Sequence, residues 1–201
     1  MPVNGLCVVL FIFEVSLHQK DGKNDFEMTA EEYALDLLES EIRIINNSDR
    51  KNVFPELSVF EKAIILKYSE NGYEDLNEKL RTSQGNNISP FGFLLADCLK
   101  KLPNFVGNVY RGVTLTKREL KDYENAFVSN QILIEHFFIS TSRSASFANQ
   151  FGTTRFEIFT KSGKDIEKLS KYTDEKEVII LYNCHFRLVN FSENFIQMIE
   201  I

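Results

Sequence analysis

Three groups of residues in the second half of the chain could do chemistry. Glu175 and Glu177 stand two apart, directly before the apolar run Val178 to Leu181. Side chains alternate along a strand, so if the strand register extends backward from Val178, both carboxylates point to one face. Two carboxylates side by side repel unless a cation, or a positively charged transition state, sits between them. Ser140-Thr141-Ser142 closes a strongly apolar stretch, and hydroxyls at a strand end can fix a neighbouring carboxylate by donating hydrogen bonds to it. Arg111 lies in Val109-Tyr110-Arg111-Gly112-Val113, a run that otherwise looks like a buried strand. A planar guanidinium there asks for a carboxylate or phosphate partner. Each group taken alone also has a plain structural reading. The glutamates can form a solvated strand entry, the hydroxyls can cap a strand, and the arginine can make a salt bridge or face solvent.

The elements that must position these groups change period half-way along the chain. Thr29 followed by Glu32 is a capping box, and Ala34, Leu38, Ile42 and Ile45 recur at helical spacing, so a helix is expected from Thr29 to Asn46. A second box, Ser58 with Glu61, starts a helix carrying Phe60, Ile64 and Tyr68 that is expected to end near Asn71-Gly72. A short helix from Asp75 to Arg81, a loop from Thr82 to Ser89, and an amphipathic helix from Pro90 that Pro103 stops complete the helical half. Six segments rich in β-branched and aromatic residues follow: Val109–Val113, Ile132–Thr141, Thr154–Thr160, Val178–Tyr182, His185–Asn190 and Asn194–Ile201. Thr116–Tyr123 and Ser144–Gln150 read as brief helices between them. Helices first and strands afterwards predict an α+β domain with a largely antiparallel sheet system.

Composition narrows the function classes. The 201 residues suit one domain, and 23 Lys plus Arg against 29 Asp plus Glu give a net charge of −6. A general nucleic-acid or anionic-membrane binder needs a basic face, so that class is excluded in bulk. Eighteen Phe and no Trp point to a Phe-rich core. Three scattered cysteines, Cys7, Cys98 and Cys184, form neither a disulfide scaffold nor a metal-ligand pattern, so no structural metal and no obligatory disulfide are expected. The longest apolar run, Leu6 to Phe13, is too short for a membrane span and reads as a first strand or buried helix turn, with a short secretory signal as the alternative.

Taken together, the arginine on one strand, Ser-Thr-Ser on a later one and Glu-x-Glu opening another resemble the arginine-modifying, R-S-E branch of the mono-ADP-ribosyltransferases. Tyr68 to Tyr73, Leu76 to Arg81 and Leu99 to Pro103 look like the helical succession of that family, so the resemblance runs from about Thr29 to the C-terminus. By pattern, the enzymatic parts of actin-modifying binary toxins and the vertebrate ecto-enzymes are its relatives. The resemblance implies the family's fold: a helical lobe over residues 29–103 after an extension over 1–28, then a mainly antiparallel two-sheet β core over 104–201 with an NAD cleft.

It also implies roles. Arg111 would hold the NAD diphosphate, and Gly112 would let its backbone approach the nicotinamide amide. Ser140 would orient Glu177, with Thr141 and Ser142 supporting the pocket wall, and Phe151 would pack on the nicotinamide ring. Glu177 would be the catalytic carboxylate. Glu175 would receive the guanidinium of the target, with Tyr172 contacting the substrate. Cleavage of the bond to nicotinamide passes through an oxocarbenium-like ion, which a preplaced carboxylate stabilises best in a water-poor site. An acceptor arginine, with a pKa above about 12, must be oriented by a second carboxylate before its nitrogen can attack. NAD is therefore expected as co-substrate, with no metal and no covalent enzyme intermediate.

The implied activity is transfer of ADP-ribose from NAD to an arginine of a target protein. NAD hydrolysis on the same fold and a non-catalytic NAD-binding or decoy protein are the alternatives. The chain lacks the paired cysteines of the ecto-enzymes, which disfavours an extracellular, disulfide-stabilised protein. A monomeric effector, secreted or translocated and acting in the cytosol of a target cell, is expected. That expectation leaves room for a cognate inhibitor or a delivery partner. His18, His136 and His185 match no position that the family requires.

Overall fold

The computed structural model describes residues 28–201, so the apolar run Leu6 to Phe13, Cys7 and His18 lie outside the described residues. Five helices come first, and local capping starts most of them. Thr29 accepts from the Glu32 N–H while the Glu32 carboxylate accepts from the Thr29 N–H, opening α1 (Ala30–Leu37). Ser58 and Glu61 do the same for α3 (Val59–Lys67). Ser89 caps α5 (Pro90–Lys101), whose first residue is a proline that needs no hydrogen-bond acceptor there.

Two expectations for this half are corrected. The helix expected from Thr29 to Asn46 breaks at Leu38 (φ −126°, ψ 34°), separating α1 from α2 (Glu39–Asn46). No Gly or Pro marks the break. Leu38 is buried, and Ala34 and Ile45 on either side join the same core, so the apolar pattern is identical for a straight and a jointed helix. The helix begun at Ser58 does not stop at Asn71-Gly72 either. It passes through a π-helical turn, Tyr68–Gly72, directly into α4 (Tyr73–Thr82). Gly72 keeps a helical φ of −74°, and a Cβ there would lie 3.0 Å from carbons of the Phe91 ring, so this glycine serves packing and not termination.

The strands are β1 (Phe105–Val113), β2 (Ile132–Glu135), β3 (Ile139–Ser142), β4 (Thr154–Asp165), β5 (Glu177–Ile180), β6 (Cys184–Ser192) and β7 (Phe195–Glu200). α6 (Lys117–Val128) and α7 (Ala145–Ala148) interrupt them, and a third capping box, Thr116 with Glu119, starts α6. β1, β4, β7, β6 and β2 lie side by side in that order, antiparallel except for the parallel β4–β7 pair. β3 and β5 form a second antiparallel pair, joined to β1 at Tyr110↔Ser142 and to the far end of β4 at Lys164↔Ile179. The two sheet portions are thus linked through β1 and β4. The Glu200 carboxylate holds the turn of β4 toward β5, accepting from the Thr160 hydroxyl (2.6 Å) and the N–H groups of Lys161 (2.6 Å) and Ser162 (3.0 Å).

The single strand expected over Ile132–Thr141 is two strands, β2 and β3, in different portions of the sheet. Phe138 between them is fully buried, and Asn77 of α4 clamps its backbone in both directions: Nδ2 donates to the Phe138 carbonyl, and the Phe138 N–H donates to Oδ1, each at 3.0 Å. The chain leaves one ladder there because the helical lobe supplies its hydrogen bonds.

Two apolar cores result. The first lies among the helices and takes in Phe138, Ile166, Leu169 and Ile179; the second holds Val109, Phe156, Ile158, Val178, Ile180, Phe186 and Met198. β5 faces both, which explains why Val178-Ile179-Ile180 is apolar without alternation. Cys98 and Cys184 are free thiols. Among the described residues no helix is long and apolar enough to cross a membrane, and no group of His, Cys, Asp and Glu is placed to hold a metal ion.

Candidate active site

Between the helical lobe and the strands opens a cleft of about 610 Å³. Arg111, Gly112, Ser140, Thr141, Ser142, Phe151, Tyr172, Glu175 and Glu177 all line it, so every residue singled out in the sequence arrives at one place. Glu177 is buried at its floor. On β5 it shares a face with Ile179, which packs into the helical core, and its cross-strand partner on β3 is Ser142.

The expected backward extension of the strand does not occur. Glu175 lies in a 3₁₀ turn, Thr173–Glu175, and Lys176 adopts the left-handed conformation (φ 48°, ψ 50°). The two glutamates reach the same cleft because the chain turns at Lys176, not because strand alternation continues.

Hydrogen bonds fix the walls. Arg111 Nη1 donates to the Ser140 carbonyl at 2.8 Å, tying β1 to β3 with its guanidinium at the cleft. The Thr141 hydroxyl donates to the Val178 carbonyl (2.6 Å), and the Ser142 hydroxyl to the Glu175 carbonyl (2.6 Å). Gly112 is required by protein packing: a Cβ there would fall 2.1 Å from the Phe151 carbonyl oxygen and 2.2 Å from that of Ala148. Gly152, at φ 64°, turns the chain against Val113, which leaves the Phe151 ring half exposed beside Phe147. Tyr172 is exposed at the rim.

Burial pushes the Glu177 carboxyl up to about 7, and the nearby Glu175 charge adds to this, while hydrogen bonds from Ser170 and Ser140 pull it back. Burial also raises Glu175, lowers the Arg111 guanidinium and takes the Tyr68 hydroxyl up to about 12. A carboxyl raised by burial and set in a cleft makes Glu177 a candidate for chemistry.

Sequence reasoning missed four residues here. Ser170 donates to Glu177 Oε2 at 3.0 Å, and the Tyr68 hydroxyl meets the Ser140 hydroxyl at 3.1 Å. Asn77 and Arg81 reach the cleft from α4, the latter with its guanidinium 4.0 Å from the Phe137 ring centroid. Asn77 and Arg81 stand four apart on one helix, a spacing that could have suggested a shared face. Nothing local signals Ser170 or Tyr68.

The sequence matches the family described as NAD:arginine ADP-ribosyltransferase over residues 16–199. The chain belongs to this family. It is 35% identical over 135 residues to the NAD(+)–protein-arginine ADP-ribosyltransferase Tre1 of Serratia proteamaculans (strain 568), a match covering 64% of this chain and 28% of Tre1. It is 32% identical over 139 residues to the Mav protein of Mycobacterium avium (strain 104), covering 64% of this chain and 16% of Mav. The chain therefore spans less than a third of the length of these two curated relatives. Among solved structures, the ADP-ribosyltransferase HopU1 of Pseudomonas syringae pv. Tomato DC3000 shares the fold, with a TM-score of 0.67 at 19% identity, covering 87% of this chain and 88% of that one. The α+β architecture of the chain is thus that of its family.

Proposed function

We propose that this ADP-ribosyltransferase domain transfers ADP-ribose from NAD to an arginine side chain of a target protein and releases nicotinamide. The observation that carries the reading is the convergence of Arg111, Ser140, Glu175 and Glu177 in one cleft, with Glu177 buried and Glu175 nearer the rim. The cleft suits a dinucleotide: two guanidiniums, Arg111 and Arg81, are available to its phosphates, and an exposed Phe151 ring is available to a flat heterocycle. Gly112 supports that cleft by admitting the Ala148 and Phe151 carbonyls.

Bound NAD supplies an ADP-ribosyl group on a cationic leaving group. The rest of the chemistry belongs to the protein. Glu177, once charged, holds a ribose hydroxyl and stabilises the positive charge that develops as the bond to nicotinamide breaks; a buried carboxylate is worth most there. Ser140, itself oriented by Tyr68, donates to Glu177 and keeps it in place. Thr141 and Ser142 hold the wall by binding the carbonyls of Val178 and Glu175. Glu175 meets the acceptor guanidinium at the rim, beside Tyr172, orients its nitrogen toward the ribose carbon and accepts the proton that nitrogen loses as the new bond replaces the bond to nicotinamide. A single carboxylate at the floor would suffice for hydrolysis; the second is what the acceptor arginine requires.

Incubation of the protein with labelled NAD and lysate, followed by mass spectrometry of modified residues, tests this. Label on arginine is expected. NAD binding without labelled arginine would overturn the transferase reading.

A further inference from the structure

Glu177 opens β5, so its carboxylate depends on the segment that leads into it, residues 166–176. That segment is anchored from three directions. Arg143 Nε lies 3.3 Å from Asp165 Oδ2, and Arg143 also pairs with Glu167. The Lys171 N–H donates to Ser69 Oγ (2.9 Å), and Lys171 Nζ pairs with Glu70 (2.6 Å) in the π turn. Between these anchors, Arg50 reaches in from the 3₁₀ turn Asp49–Asn52. Its Nε donates to the Leu169 carbonyl (3.2 Å) and its Nη2 to the Ser170 carbonyl (2.8 Å).

Ser170 is fully buried, and its hydroxyl donates to Glu177 Oε2 at 3.0 Å. A serine hydroxyl has one proton to give, and here the carboxylate receives it. A guanidinium fork that grips two successive carbonyls fixes the backbone between them, and with it the direction in which that hydroxyl can point. Glu177 is thus held between two serines, Ser140 from the strand side and Ser170 from the loop side.

We propose that Ser170 is a positioning residue for Glu177, and that Arg50 acts on Glu177 through Ser170 by gripping the Leu169 and Ser170 carbonyls. This rests on the reading of Glu177 as the catalytic carboxylate. The charged and titratable groups facing Glu177 are Glu175 from the same loop, Tyr68 and Tyr73 from the helical lobe, and Arg111 from β1 by way of the Ser140 carbonyl. None of them occupies the place of the Ser170 donor.

The test uses the full chain with Ser170→Ala, Ser170→Thr and Arg50→Gln. Two quantities are read: the pH profile of nicotinamide release, and the titration of the Glu177 carboxyl by carbon NMR in the unliganded protein. Removing a donor to the charged carboxylate disfavours that form, so both the acid limb and the titration should move up from about 7 in Ser170→Ala, by roughly one pH unit. kcat should fall about tenfold with the KM for NAD little changed. Ser170→Thr, which keeps the hydroxyl, should restore both readouts. Arg50→Gln should shift them in the same direction by less, and it keeps the proposal testable if Ser170→Ala does not fold. A folded Ser170→Ala whose titration and acid limb stay in place overturns the proposal; an unmoved Arg50→Gln overturns its second half. If the wild type releases no nicotinamide while the titration still moves in Ser170→Ala, the positioning stands and the catalytic reading of Glu177 falls.

Discussion

Glu175 and Glu177 are two residues apart and live under different physical rules. Glu177 begins a strand that is buried on both faces, within reach of two serine donors, and its titration is set by burial. Glu175 sits in a single 3₁₀ turn, partly open to water, with its backbone carbonyl held by Ser142. The left-handed Lys176 between them separates the floor of the cleft from its rim. A rigid, water-poor floor suits the step common to every acceptor, breakage of the bond to nicotinamide. An adaptable rim suits the step that differs between acceptors.

Substitutions at the two positions should therefore part company. The largest effect is expected for Glu177→Gln, which should lower both nicotinamide release and arginine labelling at least ~10³-fold. Retained activity in either assay would break the assignment of the floor. The same variant should melt higher than the wild type at pH 8. The Glu177 carboxyl is raised from 4.5 to about 7 on folding, so its proton favours the folded state fully below about 4.5, and that contribution is lost as pH rises through 7. The loss is about 3 kcal/mol, and glutamine, having no charge to bury, escapes most of it. At pH 5 the difference in melting should shrink. Next, Glu175→Gln should cut arginine labelling ~10²-fold while NAD hydrolysis, followed by nicotinamide release, stays within a few-fold. Parallel loss of both would merge floor and rim into one function.

Two smaller effects test what supports the floor. Asn77→Ala leaves the buried Phe138 N–H without an acceptor and its carbonyl with only the Tyr68 hydroxyl at 3.5 Å, which should cost about 3 kcal/mol and lower Tm by roughly 6–12 °C. Thr116→Ala removes only the cap of α6, none of whose residues lines the cleft. Calorimetry should show a loss of about 1 kcal/mol, with nicotinamide release at 25 °C unchanged.

What could be read in the sequence is what physics writes within a few residues. The capping boxes at Thr29, Ser58 and Thr116 are four-residue signals, and each starts a helix. The β-branched runs of the second half are strands, because side chains that fit a pleated sheet announce it locally. The parting of β2 from β3 at Phe138 is settled by a partner far along the chain, since Asn77 stands 61 residues from the backbone it clamps. The site divides in the same way. Arg111, Ser140 and Glu175 with Glu177 each have a plain structural reading alone and were legible only in combination, as an arginine, a Ser-Thr-Ser and a Glu-x-Glu in that order. Ser170 was not, since a serine in a loop looks like any other until its hydroxyl is seen to point at a carboxylate.

The position of β5 has a consequence for how the molecule comes apart. Ile179 belongs to the core among the helices, while Val178 and Ile180 belong to the core beneath the strands. Freeing this four-residue strand would wet both interiors at once, so no partial opening can release it cheaply. Its amides should exchange with deuterium only through whole-molecule unfolding, more slowly than those of the rim around Thr173–Glu175. A lesion that frees β5 from either core would then reach Glu177 as well, and loss of activity and of cooperative unfolding would arrive together.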